Sequence, residues 1–108
     1  MPAHLGEFEQ LVLLALLRLG EGGYGVTVRA MLEQRAHRRV SLGTVYKTLL
    51  RLEAKGLVAA WVGEPTPERG GRRKKHYRVT GAGRRDLSRS LEALRKLGRG
   101  LDPAWQVR

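Results

Sequence analysis

The first hydrophobic block, "EFEQLVLLALLRL" from Glu7 to Leu19, is apolar on nearly every side of a helical projection. That is the pattern of a buried helix, and Gly20 with Gly22 and Gly23 stops it. A second helix is predicted from about Tyr24 to Ala36, with Val28, Met31 and Leu32 facing inward. After the connector "HRRV", the Ser41 hydroxyl is placed to cap a third helix, and Gly56 to end it. At roughly 100° per residue, Val45, Leu49 and Leu52 share one arc of that helix. Thr44, Lys47, Thr48, Arg51 and Lys55 share the opposite arc. "LVAAWVG" and "KKHYRVT" read as strands, with Tyr77 and Val79 alternating against Arg78. The loop between them, "EPTPERGGRR", holds two Pro and two Gly. Thr80 can cap a last helix running to about Leu97, and the tail "GRGLDPAWQVR" reads as irregular.

Helix, helix, helix, hairpin, helix predicts a mainly α fold with a small β-hairpin. It is the order of a winged helix-turn-helix domain with an appended C-terminal helix, which the leucine pattern below marks as a dimerisation helix. The expected divisions are 1–80 for the DNA-binding domain, 81–98 for the dimerisation helix and 99–108 for the tail.

Charge changes the picture from fold to partner. The chain carries 21 Lys and Arg against 10 Asp and Glu, a formal +11, unevenly placed. Residues 35–51 hold five bases and 69–78 hold six, neither block with an acid. The stretches before and between these blocks are each net acidic: four acids against two bases, then three against one. Solubility alone explains a positive total but not two acid-free blocks, which suit a polyanion. The outward arc of the third helix then reads as a DNA face, since hydroxyls and cations without carboxylates can approach phosphates and base edges together.

Single residues also have plainer readings. Gly43 is either a tolerated helix-start glycine or a gap that lets a phosphate reach the helix N-terminus, where free amides favour anions. Tyr46, beside Leu50, lies between the two arcs and reads as half core with its hydroxyl outward. Lys55 at the helix end reads as a solvated charge. Glu53 falls within the apolar arc and is expected to pair with a nearby base.

"SLGTVYKTLLRLEAKGLV", a basic loop and "KKHYRVTGAGRRDL" together resemble the PadR family of transcriptional regulators. Tyr24-Gly25 at the start of the second helix is similar to that family's pattern as well. The resemblance covers about Leu5 to Leu97 and leaves the tail out. It implies a dimeric winged-helix repressor binding double-stranded DNA, with an inverted-repeat operator expected of such a dimer. Carried over residue by residue, Ser41, Gly43, Thr44, Tyr46 and Lys47 match the DNA-contacting start of the recognition helix. Arg51 joins them through its place on the outward arc. The wing residues Arg72, Arg73, Lys74 and Lys75 match the hairpin that contacts the backbone. The single short C-terminal helix resembles the smaller PadR subgroup.

The last helix points to a homodimer on its own pattern. Leu87, Leu91 and Leu94 stand at i, i+4 and i+7 with Leu97 beside them, and such a stripe left bare is a liability. Packing on the first helix of the same chain is the plainer reading. No cysteine is present, and His4, His37 and His76 are isolated, so no metal, cofactor or catalytic site is expected. The apolar run Leu11 to Leu17 is far short of the ~20 residues of a membrane span, and no signal peptide precedes it, so a cytoplasmic protein is expected. The resemblance implies that some members sense small planar aromatic effectors near the dimer interface. Trp61 and Trp105 are the flat surfaces available here, Trp61 reading as core or wing packing, and Trp105 either covering the dimer interface or simply packing there, the second being expected. The competing class is a winged-helix module that binds protein, or RNA through aromatics exposed on a sheet. Trp61 and His76 are the candidates for that, Tyr77 being expected to face inward.

Overall fold

A computed structural model describes residues 5–65 and 73–106 of the chain. Helix α1 spans Glu7–Leu19, α2 Gly25–Ala36, α3 Leu42–Ala54 and α4 Gly81–Gly98. Strands β1 (Val58–Pro65) and β2 (Arg73–Val79) form an antiparallel hairpin with Ala60 opposite Tyr77 and Trp61 opposite His76. The order is the one the hydrophobic pattern predicts. Short 3₁₀ turns lie at Gly20–Gly22 and, within the tail expected to be irregular, at Pro103–Trp105.

The local signals behave as side-chain chemistry requires. Ser41 Oγ accepts from the Thr44 amide at 3.1 Å, and Thr80 Oγ1 accepts from the Gly83 amide at 3.1 Å. At the end of α3, Gly56 takes φ 75°. Its amide bonds the Glu53 carbonyl and the Leu57 amide bonds that of Leu52, so the last turn closes and the chain turns into β1. The α2–α3 connector leaves α2 through His37 at φ 54°. The wing also gains a bridge the pattern did not show. Tyr24 pairs with His76, and the Tyr77 amide donates to the Gly23 carbonyl at 2.8 Å, so the entry to α2 flanks β2.

The core joins Val12, Leu13 and Leu16 of α1, Val28 and Leu32 of α2, Val45, Leu49 and Leu52 of α3, Tyr77 of β2 and Leu87 of α4. Three expectations need correction. Helix α1 is not covered all round: Leu14 and Leu17 are 37% and 36% exposed. One layer of helices covers one face only, and the opposite face is left for α4 and for whatever lies beyond it. Thr48 does not belong to the outward stripe. It is fully buried, its hydroxyl donating to the Thr44 carbonyl at 3.0 Å, a bond that lets a small polar side chain enter the core.

Lys55 is not a solvated charge either. Its ammonium lies 2.8 Å from the Glu9 carboxylate, which is itself buried at the start of α1 and accepts from the Gly6 amide. Burial pushes the Glu9 carboxyl up, but the Lys55 hydrogen bond, the Gly6 amide and the charges of Lys55 and Arg51 outweigh it. Its pKa therefore falls below the ordinary 4.5. A depressed carboxyl stabilises the fold above its unfolded pKa, and that contribution fades as pH falls through the folded value. Replacing Lys55 with Met strands a buried carboxylate and is expected to cost about 1–3 kcal/mol at neutral pH. Urea melts at pH 7 and pH 4 check it: the difference from the parent protein should shrink at the lower pH as Glu9 protonates.

Candidate nucleic-acid interface

Helix α3 meets the core along Val45, Thr48, Leu49 and Leu52, which turns Gly43, Thr44, Lys47 and Arg51 to solvent. Ser41 and Thr44 lie at its start, their hydroxyls 2.9 Å apart. A Cβ added at Gly43 would find nothing nearer than the Ser41 hydroxyl at 3.9 Å. Nothing among the described residues demands a glycine there. Tyr46 is 37% exposed, its ring end over the first turn of α2. A Cβ at Gly25 would come within 2.5 Å of that ring, so the glycine of the Tyr24-Gly25 pair makes room for Tyr46. This close approach, between residues 21 positions apart, is the device that ties the two helices of the helix-turn-helix together at that end.

The basic blocks are less uniform in space than along the chain. Arg38 pairs with Glu7 at 2.6 Å and Arg39 with Glu33 at 3.5 Å, so part of the first block is neutralised within the fold. In the wing, Lys75 is drawn toward α3. Its ammonium lies 3.2 Å from Glu53 and 5.4 Å from the centre of the Tyr77 ring, and the Glu53 hydrogen bond raises its pKa above 10.5. Glu53 thus pairs with a base, as the apolar arc around it led us to expect. Arg73 and Lys74 stay out of ion pairs among the described residues, as do Lys47 and Arg51. Arg72 lies outside the described residues. The pairing of Lys75 with Glu53 was not legible in the spacing, because it needs the hairpin register that puts β2 against α3.

The leucine stripe of α4 divides along its length. Leu87 is 3% exposed, packed into the chain's own core, so it does not belong to a face open to a partner. Leu91 is partly buried against the same core. Leu94 and Leu97 are 62% and 82% exposed, followed by Leu101 and Trp105 in the tail. Between α1 and α4 runs a groove of about 300 Å³ lined by Leu14, Leu17, Leu87 and Leu91, with Arg84 and Arg95 at its rim. Among the described residues, no helix is long and apolar enough to cross a membrane.

The chain matches the Transcriptional regulator PadR-like family over residues 13–89. No curated protein matches it. Among solved structures it is similar to a PadR-like transcription factor of Bacteroides fragilis, at 27% identity and TM-score 0.69, over 83% of this chain and 82% of that one. A PadR family transcriptional regulator from Eggerthella lenta is also 27% identical, over 94% of this chain and 88% of that one, with TM-score 0.67. A PadR-like regulator from Bacillus cereus shares the fold at 21% identity and TM-score 0.72, over 94% and 93%. With the matched span running from the middle of α1 into α4, the polar face of α3 and the basic hairpin at its centre, the chain belongs to the PadR-like family of transcriptional regulators, with a winged-helix DNA-binding fold.

Proposed function

We propose that the protein is a sequence-specific, double-stranded-DNA-binding repressor that works as a homodimer on an inverted-repeat operator. The single observation that carries this is the outward face of α3. Thr44, Lys47 and Arg51 are exposed there, and the neighbouring carboxylate, Glu53, is held by Lys75. In a winged helix that face enters the major groove while the hairpin lies along the backbone. Thr44 and Lys47 at the start of the helix reach base edges, and Gly43, which the fold itself does not need, leaves room for a phosphate at the helix N-terminus. Arg73 and Lys74 hold phosphates. Arg72, outside the described residues, is assigned to them by sequence. Selection from a random duplex pool tests the whole reading: enrichment of an inverted repeat supports it, and no enrichment leaves a module that binds protein or RNA.

Reading and holding separate by mutation. Thr44→Ala or Lys47→Ala is expected to cost about 1–3 kcal/mol on the selected site and to blur discrimination between sequences. Arg73→Ala with Lys74→Ala is expected to weaken every duplex about equally. The salt slope should fall by roughly 0.9 for each phosphate that is no longer neutralised. Titrations on selected and scrambled duplexes at several salt concentrations check both. A wing variant that loses discrimination while the helix variants lose only affinity would reverse the two roles.

A further inference from the structure

An ion pair joins the wing to the recognition helix. Lys75 of β2 reaches back past Tyr77, its ammonium 5.4 Å from the ring centre, and lies 3.2 Å from the Glu53 carboxylate of α3. The place of this pair along the hairpin is particular. The regular ladder runs from Val58 opposite Val79 to Val62 opposite Lys75, and the register then shifts before Pro65 meets Arg73. On the near side of that shift β2 is fixed to the body. Tyr77 is buried, and its amide donates to the Gly23 carbonyl at 2.8 Å. On the far side lie Lys74 and Arg73, the cations assigned to phosphates. A register shift of this kind bends a strand and changes its twist. Lys75 therefore stands where the direction of the outer wing is set, and a carboxylate of the recognition helix holds it there.

An exposed pair contributes little to folding, and the Lys75 and Glu53 side chains are 45% and 37% exposed. What such a pair can do is orient. Phosphate contacts fix the register of a protein on its duplex. The position of the outer wing relative to α3 then decides whether Thr44 and Lys47 meet base edges while Arg73 and Lys74 meet the backbone. A wing held in advance avoids the entropy of ordering it in the specific complex. A sequence-independent complex rests on charge and needs no fixed relation between the two elements. The pair is neutral, so it adds no net charge toward a polyanion, unlike Arg73 and Lys74.

We propose that Lys75, through Glu53, is a positioning residue that determines specificity by fixing the outer wing against the recognition helix. It is not one of the phosphate contacts that its place beside Arg72, Arg73 and Lys74 suggests. The inference rests on the DNA reading above. Its test is the full chain carrying Glu53→Gln with Lys75→Gln, which removes the pair and leaves the net charge unchanged. Binding is titrated on the selected duplex and on a scrambled one at several salt concentrations. The expected result is a Kd about three- to fivefold higher on the selected duplex, the size of one exposed ion pair. The scrambled Kd and both salt slopes should not change. Glu53→Gln alone frees the ammonium, so it should tighten binding to the scrambled duplex and steepen its slope by roughly 0.9. Both side chains are partly exposed, so circular dichroism of the variants should match the parent. Equal weakening of the double variant on both duplexes, with slopes lower by roughly 0.9, would make Lys75 a phosphate contact and overturn the proposal. A double variant that discriminates as well as the parent overturns it too. A parent protein with no preferred duplex would instead sink the DNA reading, and this inference with it.

Discussion

Replacing Leu94 and Leu97 together with Asp is expected to turn the proposed homodimer into folded monomers. Both side chains are mostly exposed within the chain, so a charge there should leave the core intact. The same is not true of Leu91, which packs partly against the core, or of Leu87, which lies within it. Leu94 and Leu97 continue the line of Leu91 past the body of the domain, with Leu14 and Leu17 of α1 bare alongside the helix. In the proposed homodimer, a second copy related by a twofold axis would cover this face with the same face. Two carboxylates per chain then place four in an apolar seam, each costing several kcal/mol to desolvate without a partner. The dimer dissociation constant should rise at least about a thousandfold. Sedimentation velocity with circular dichroism checks it, and a variant that remains both helical and dimeric would place the interface elsewhere. On an inverted repeat, the monomeric variant should also lose cooperative occupancy of the two half-sites.

The second large effect is expected at Gly83, in the first turn of α4. A Cβ there would overlap the Leu57 carbonyl oxygen and press on Val79, so α4 lies directly against the start of β1. The Thr80 amide donates to that same carbonyl at 3.0 Å, which holds the helix start and the strand together. The obstacle is backbone on a packed turn, so no side-chain rotation relieves it. Gly83→Ala is expected to cost about 3 kcal/mol, at the upper end for overpacking, even though alanine favours a helix by about 1 kcal/mol over glycine. Chemical denaturation reads the loss directly. A variant as stable as the parent would mean that α4 can lift from the sheet at little cost. Because α4 also carries Leu94 and Leu97, the substitution should weaken dimerisation as well.

Local chemistry accounts for what could be read along the chain. Hydroxyls before helices, a glycine after α3 and period-two alternation in the strands act over a few residues, so Ser41, Thr80, Gly56 and Tyr77 could be placed from their neighbours alone. The order of elements, the apolar arc of α3 and the outward positions of Thr44, Lys47 and Arg51 follow from helical period and hydrophobicity. Those suffice for a winged helix with a polar recognition face, and the motif of residues 41–58 for the family.

What the tertiary structure alone decided concerns pairs far apart in sequence. Thr48 lies at the margin between the two arcs of α3, and only the packing of the core sent it inward, where its own helix supplies an acceptor. Lys55 and Glu9 stand 46 residues apart, Lys75 and Glu53 22 apart. Periodicity carries no information about such partners, because a charge on an exposed arc looks the same whether water or a carboxylate meets it. Leu87 and Leu97 likewise read as one stripe, since a helix repeats its face along its whole length. Where the body of the domain ends under that helix is a property of the assembled fold, and it leaves Leu87 in the core and Leu97 bare.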